Sequence, residues 1–224
     1  LNKCICRNLY KIPRDIDLVV GIPRSGTLAG NIISLYLNLP FMDIDSYVRG
    51  ASFRTGNTRK NANWIKSTRD AKKILVVDDS ISSGQAIKEA KQQIKHAGGK
   101  SEYVYLAVYA LETNIFMVDI YFEICHMPRM FEWNYMHHWV LEYACVDIDG
   151  VLCYDPSLIQ NDDGKRYEDF LLNAVPKFIP TKKIGYIIST RLEKYRWQTE
   201  TWLKNYGIEY DHLIMLDLPT GMER

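Results

Sequence analysis

The chain has 224 residues, 47% of them hydrophobic, with 28 Lys and Arg against 27 Asp and Glu for a formal net charge of +1. That length allows one large domain or two small ones, and the near balance of charge gives no global field for nucleic acid or an anionic membrane surface, so any attraction for phosphate has to be local. No apolar run reaches membrane-spanning length and the five cysteines lack paired metal spacings, which points to a cytoplasmic protein with free thiols, away from membranes.

The first patterned element is Asp17-Leu18-Val19-Val20-Gly21-Ile22-Pro23-Arg24-Ser25-Gly26-Thr27: an apolar strand, a tight glycine-flanked turn and a helix starting near Thr27. Arg24 adds a fixed cation to what reads as an anion loop. Residues 47–70 follow, polar and glycine-rich, with cations at Arg49, Arg54, Arg59 and Lys60. A loop of that length inside a compact domain is more often functional than decorative.

Next comes Ile74-Leu75-Val76-Val77-Asp78-Asp79-Ser80-Ile81-Ser82-Ser83-Gly84-Gln85-Ala86. Ile74 to Val77 suit a strand buried on both faces of a parallel sheet. Residues 85–97 place Ala86, Ala90, Ile94 and Ala97 on one helix face, closed by Gly98-Gly99, the usual end signal of a helix. Ser80, Ile81, Ser82, Ser83 and Gly84 then form a strand-to-helix loop, whose small side chains let backbone N–H groups and the positive helix end converge on an anion. Asp78 and Asp79 stand at the carboxyl end of the strand, where open α/β sheets bind ligands. Two adjacent carboxylates repel phosphate but accept hydrogen bonds from a diol, so a sugar phosphate satisfies both halves of the run. The alternative is a metal-holding acid pair, as in a receiver domain.

The run from Ile74 to Ala86 resembles the phosphoribosyl pyrophosphate (PRPP) motif of the type I phosphoribosyltransferases, and the Pro23-Arg24-Ser25-Gly26 turn resembles their pyrophosphate loop. The resemblance implies an α/β fold with a parallel sheet flanked by helices. It also implies Asp78 and Asp79 on the ribose hydroxyls, Ser80 to Gly84 on the 5′-phosphate, Pro23 to Gly26 on pyrophosphate, and Mg²⁺ as cofactor. Residues 47–70 match the flexible loop that closes over substrate in that family. The implied substrates are PRPP and a base or nucleotide, and family members often pair as homodimers.

Further strands are read at Tyr103–Tyr109 and Asp119–Ile124, followed by the aromatic run from Pro128 to His138. The family's variable hood carries the base pocket, which makes Phe131 and Trp133 the candidates for stacking on a planar ring; packing between domains is the competing role. His126, His137 and His138 have no metal-ligand spacing.

A second chemistry starts at Tyr143-Ala144-Cys145-Val146-Asp147-Ile148-Asp149-Gly150, an apolar strand ending in alternate carboxylates. On an extended chain these project to one side, where one can attack phosphorus, the other can carry a proton and both can hold a divalent cation. A calcium loop shares the Asp-x-Asp-Gly pattern. The stretch resembles the first motif of the haloacid dehalogenase (HAD)-like phosphohydrolases, with Asp147 as nucleophile and Asp149 as acid/base. Lys183 to Arg191 resembles their second, with Ser189 or Thr190 on the transferring phosphoryl group, and a helix follows through Trp197, Trp202 and Leu203. The lysine and the downstream acidic pair of that family have no counterpart after Leu216.

The reading is therefore a phosphoribosyltransferase-like domain over residues 1–142 and the amino-terminal part of a HAD-like Rossmannoid α/β domain over 143–224, a possible Mg²⁺-dependent phosphatase half. The start at Leu1 without methionine and the stop at Arg224 read as a truncated record. The rival reading from another class is a non-catalytic regulator that binds PRPP or a nucleotide.

Overall fold

The computed structural model describes residues 1–52 and 65–218, and the expectations for Arg54, Arg59 and Lys60 fall outside them. The chain divides into two compact units, Leu1–Arg129 and Met130–Arg224.

In the first unit, short apolar runs become the strands of a five-stranded, all-parallel sheet. The strands are β1 (Leu18–Gly21), β2 (Phe41–Asp43), β3 (Lys73–Ile81), β4 (Glu102–Ala110) and β5 (Ile120–Ile124), in the order β2-β1-β3-β4-β5. Alternation along β3 sends Leu75 and Val77 to one face and Ile74 and Val76 to the other, and each face closes a separate core. One core takes Cys4 and Ile5 of α1 (Asn2–Asn8) and Ala29 and Ile33 of α2 (Ser25–Leu37). The other takes Ile44 of α3 (Ile44–Val48) and Ile87, Ala90 and Ile94 of α4 (Gln85–His96). The inward stripe of α4 thus runs through Ile87, whereas Ala86 and Ala97 face solvent. Burial of a branched side chain stabilises by about 1.5–3 kcal/mol, more than an alanine offers, and this sets the helix rotation.

Two further boundaries differ from the sequence reading. β3 does not stop at Val77: Asp78, Ser80 and Ile81 stay in register with Ala107, Tyr109 and Ala110 of β4. Cross-strand pairing, not composition, sets its length. The break between units falls at Arg129/Met130 rather than at residue 142, because Met136 and Leu141 are buried in the core of the second unit.

The second unit carries a three-stranded parallel sheet, β6 (Cys145–Val146), β7 (Ile184–Leu192) and β8 (Tyr210–Leu216), in that order. Helices α5 (Lys165–Asn173) and α6 (Arg196–Asn205) supply Tyr167, Phe170, Leu171, Trp202 and Leu203 to its core. Trp202 is fully buried and its indole N–H donates to the Ala174 carbonyl at 2.8 Å, which satisfies the one polar atom the ring brings inside.

Candidate active site

In the order β2-β1-β3-β4-β5 the direction of winding reverses between β1 and β3, and open α/β sheets place ligands in the crevice at such a switch point, beyond the carboxyl ends of the strands. Gly21 of β1 pairs with Val77 of β3, so the turn Pro23–Gly26 and the acids Asp78–Asp79 emerge side by side. The Ile22 N–H donates to the Val77 carbonyl at 2.9 Å. Gly26 is pressed still closer: a Cβ there would stand 2.8 Å from the Val77 carbonyl oxygen, 2.9 Å from the Asp78 Cα and 3.0 Å from Asp78 Oδ1. Only glycine lets the two loops meet this closely.

Pro23 and Arg24 are exposed, Ser25 is half-buried, and α2 starts at Ser25. The turn thus presents a cation and a helix amino terminus together. On the β3 side the strand-to-helix loop is shorter than the sequence reading has it. Ser80 and Ile81 belong to the strand, and Ile81 is buried against Ala107 and Ala110, so its side chain serves the core. Ser82 and Ser83 are exposed, and Gly84, at φ 73°, turns the chain into α4. Ser83 Oγ accepts from the Gln85 N–H at 3.3 Å, and Asn114 Nδ2 donates to the Ser82 carbonyl. Asn114, a contributor to the loop's shape, carried no signal in the sequence.

Asp78 and Asp79 are 7% and 8% exposed, buried at the floor of the crevice. Asp78 Oδ1 accepts from the Asp79 N–H at 2.9 Å. Burial, and then the Asp79 carboxylate beside it, push the Asp78 carboxyl up to about 7 from 3.8. The folded protein therefore keeps a proton there that the unfolded chain releases near 3.8. The associated stability is full below that value and is lost as pH rises through about 7. Thermal unfolding across this window should show a midpoint that falls with rising pH more steeply in the wild type than in Asp78→Asn; parallel profiles would remove this assignment.

Of the loop cations Arg49, Arg54, Arg59 and Lys60, Arg49 is the one among the described residues, and it does not lie at this end of the sheet. It lines a cleft beside the residues that lead into β3 and β4. Phe131 and Trp133 belong to the second unit and stack on each other, with ring centroids 4.9 Å apart and planes 8° apart.

In the second unit the structure brings Asp147, Ser189 and Thr190 to one cleft at the strand ends, together with Cys145 and Ile188. Asp149 is not among its lining residues. The chain leaves the extended form after Val146, and the N–H groups of Val151, Leu152 and Cys153 all converge on the Ile148 carbonyl, so the strand alternation that would align the two acids no longer applies. Asp149 instead accepts two hydrogen bonds from the fully buried Arg191, from Nε at 3.0 Å and Nη2 at 2.7 Å. Burial alone would lower the Arg191 pKa, but the Asp149 hydrogen bonds outweigh it and the net shift is upward. Asp147 is exposed and accepts from its neighbour's N–H at 2.7 Å.

Arg191 is the residue that sequence reasoning passed over. Its signal was available: on β7 the inward positions are Ile187, Ser189 and Arg191, and a cation at an inward position demands a buried partner.

The metal expectation divides between the units. Among the described residues no three His, Cys, Asp or Glu converge as a cation cage. With both oxygens of Asp149 committed to Arg191, the Asp147/Asp149 pair does not fit a Mg²⁺ site. In the first unit, the paired Asp78 and Asp79 oxygens are hard donors of the kind that Mg²⁺ takes. All five cysteines are free thiols, and among the described residues no helix is long and apolar enough to cross a membrane.

Two strand-to-helix turns flank a pair of buried carboxylates at the switch point of a parallel sheet, which is where α/β proteins of this class bind their ligands. More specifically, the chain belongs to the phosphoribosyl transferase domain family, whose model matches residues 3–120, more than half of its length. It is 29% identical over 94 residues to an orotate phosphoribosyltransferase of Sulfolobus acidocaldarius, a match covering 42% of this chain and 44% of that one. It is 26% identical over 96 residues to the transcriptional regulator GfcR of Methanococcoides burtonii, covering 42% and 45%. The chain spans less than half the length of these curated relatives. Among solved structures, a purine phosphoribosyltransferase from Pyrococcus horikoshii Ot3 aligns over 56% of this chain and 82% of its own, with a TM-score of 0.40 and 15% identity.

Proposed function

We propose that the first unit transfers a 5-phosphoribosyl group from PRPP to a ring nitrogen, or runs the reverse reaction. The observation that supports this reading is the close approach of Gly26 to Asp78, which brings the Pro23–Gly26 turn against the Asp78–Asp79 pair. In this scheme the bond between ribose C1 and the pyrophosphate oxygen breaks, pyrophosphate leaves with the electron pair, and the nitrogen lone pair closes on C1. Asp78 and Asp79 accept hydrogen bonds from the ribose diol and oppose the positive charge that grows on the sugar. Arg24 and the amides of its turn receive the leaving group, while Ser82 to Gly84 and the amino end of α4 hold the 5′-phosphate. Mg²⁺, carried in on the substrate, supplies neutralisation of the pyrophosphate charge.

The second unit, on its resemblance to HAD-like phosphohydrolases, is proposed to act on the phosphate of a nucleotide-like compound through Asp147 with Ser189 and Thr190. The grouping of these three in one cleft supports it, while the pairing of Asp149 with Arg191 assigns that acid to structure.

One screen tests both halves. PRPP is offered with candidate purines, pyrimidines and orotate in the presence of Mg²⁺, and pyrophosphate and inorganic phosphate are followed separately. Pyrophosphate should appear with one class of base, and any later dephosphorylation of the product should vanish in Asp147→Asn. A second reading, a PRPP- or nucleotide-binding regulator, draws support from the similarity to GfcR. Tight PRPP binding with no pyrophosphate from any base would select it.

A further inference from the structure

The first unit has a second concave feature, at the opposite end of its strands. A cleft of about 710 Å³ opens where the chain leads into β3 and β4, between Tyr47 and Arg49 on one side, Arg69 and Lys72 on another and Lys100 and Ser101 on the third. Its size lies within the range of about 300–1,000 Å³ typical of small-molecule sites. Lys72 is separated from Asp78 by the length of β3, about 20 Å at about 3.3 Å per residue, so this cleft is distinct from the phosphoribosyl crevice.

Its electrostatics are one-sided. Arg49, Arg69, Lys72 and Lys100 line it, and among the described residues no Asp or Glu does. Several of the nearby acids are already engaged: Asp17 takes the backbone N–H groups of Lys72 and Lys73, Asp15 and Glu102 pair with Lys73, and Asp70 caps its own turn through the Ser67 N–H, while the exposed Asp45 stands one turn before Arg49 and leaves the cleft's balance positive. The carboxyl ends of α3 and α4 point toward this end and call for some positive charge, about half a unit for a full helix. The last turn of α4 already supplies Lys95 and His96 for that purpose, and α3 is only five residues long. Four more cations exceed the requirement. Same-sign charges collected in a concavity cost solvation and mutual repulsion, and they focus the field on an incoming counter-ion.

The remaining groups add shape. The Ser101 hydroxyl donates to the Ala71 carbonyl at 2.7 Å and ties the two leading segments together. The Tyr47 hydroxyl is anchored on that of Tyr103 at 2.8 Å, which fixes an aromatic ring beside the cations. Gly50 and Gly98, at φ 65° and 71°, leave open space at the rim.

We propose that this cleft is a second binding site, for a small di- or triphosphate anion such as a nucleotide or a short polyphosphate. The test is calorimetric titration of the intact protein with inorganic tripolyphosphate, and in a parallel arm with ATP, in each case with PRPP and Mg²⁺ already at saturation. Binding should persist under saturation and weaken with added salt. It should fall by about tenfold or more in the exposed double variant Lys72→Glu/Lys100→Glu, and survive in Lys72→Arg/Lys100→Arg with an unchanged unfolding midpoint. Tighter binding of ATP than of tripolyphosphate would identify the nucleotide as the source, with the Tyr47 ring in contact with the base; equal binding would identify the phosphate chain alone. Displacement by PRPP, indifference to the charge reversal, or no binding of either probe would overturn the proposal. Failure of PRPP itself to bind would instead strike at the reading of the Asp78–Asp79 crevice.

Discussion

Replacement of Asp78 and Asp79 together by asparagine is expected to lower pyrophosphate release from PRPP by about 10³-fold or more, since removal of a single preorganised electrostatic group typically costs about 10²–10³ in kcat. The same double variant should be at least as stable as the wild type above pH 7. Both carboxyls are more than nine-tenths buried and adjacent, and burial together with the neighbouring charge already drives Asp78 toward its neutral form. Asparagine keeps the volume, removes the repulsion and leaves an amide that can still meet the Asp79-position N–H. Loss of turnover with a raised or unchanged unfolding midpoint would separate chemistry from fold. Undiminished pyrophosphate release would sink the role assigned to the pair, and a lowered midpoint at pH 8 would show that the carboxylates hold the fold instead.

How far the sequence could be read depended on whether a residue's fate was decided locally. Ile74 to Val77 are apolar and β-branched enough to be a buried strand wherever they occur, and they are one. Gly84 had to follow a turn into a helix, and its positive φ agrees. Ser80 and Ile81 looked like loop because small and mixed residues carry little local preference; their strand conformation comes from pairing with Tyr109 and Ala110, 29 residues away in sequence and invisible to composition. Within the aromatic run after β5, Met136 is buried in the second core, and burial is a property of the partner as much as of the residue. Asp147 and Asp149 were aligned on paper by a period of two that the chain abandons after Val146. For β3 and for Met136 the missing information was long-range contact; for the two acids it was a local turn onto the Ile148 carbonyl.

The same argument gives the second unit its sharpest test. Arg191 is 0% exposed and forks onto both oxygens of Asp149, with Nη1 3.4 Å from Thr199 Oγ1 and Nη2 3.4 Å from Cys153 Sγ. A bidentate pair in so enclosed a place has no solvent to fall back on when one member is lost. Arg191→Met should therefore destabilise this unit by about 3–5 kcal/mol, the cost of leaving a charge unpaired in a buried site, whereas removing both charges together in Arg191→Met/Asp149→Leu should recover most of that loss. Chemical unfolding followed by tryptophan fluorescence, with a Trp202→Phe control to isolate the buried Trp202 from the four other tryptophans, reads this core. Arg191→Lys keeps the charge but not the fork, and should fall between wild type and Arg191→Met. If the single and double variants unfold alike, Asp149 gains nothing from Arg191 and is available for chemistry beside Asp147. If they separate as expected, the Asp-x-Asp-Gly segment divides its labour: the first acid faces the cleft that would take phosphate, and the second locks the turn that presents it.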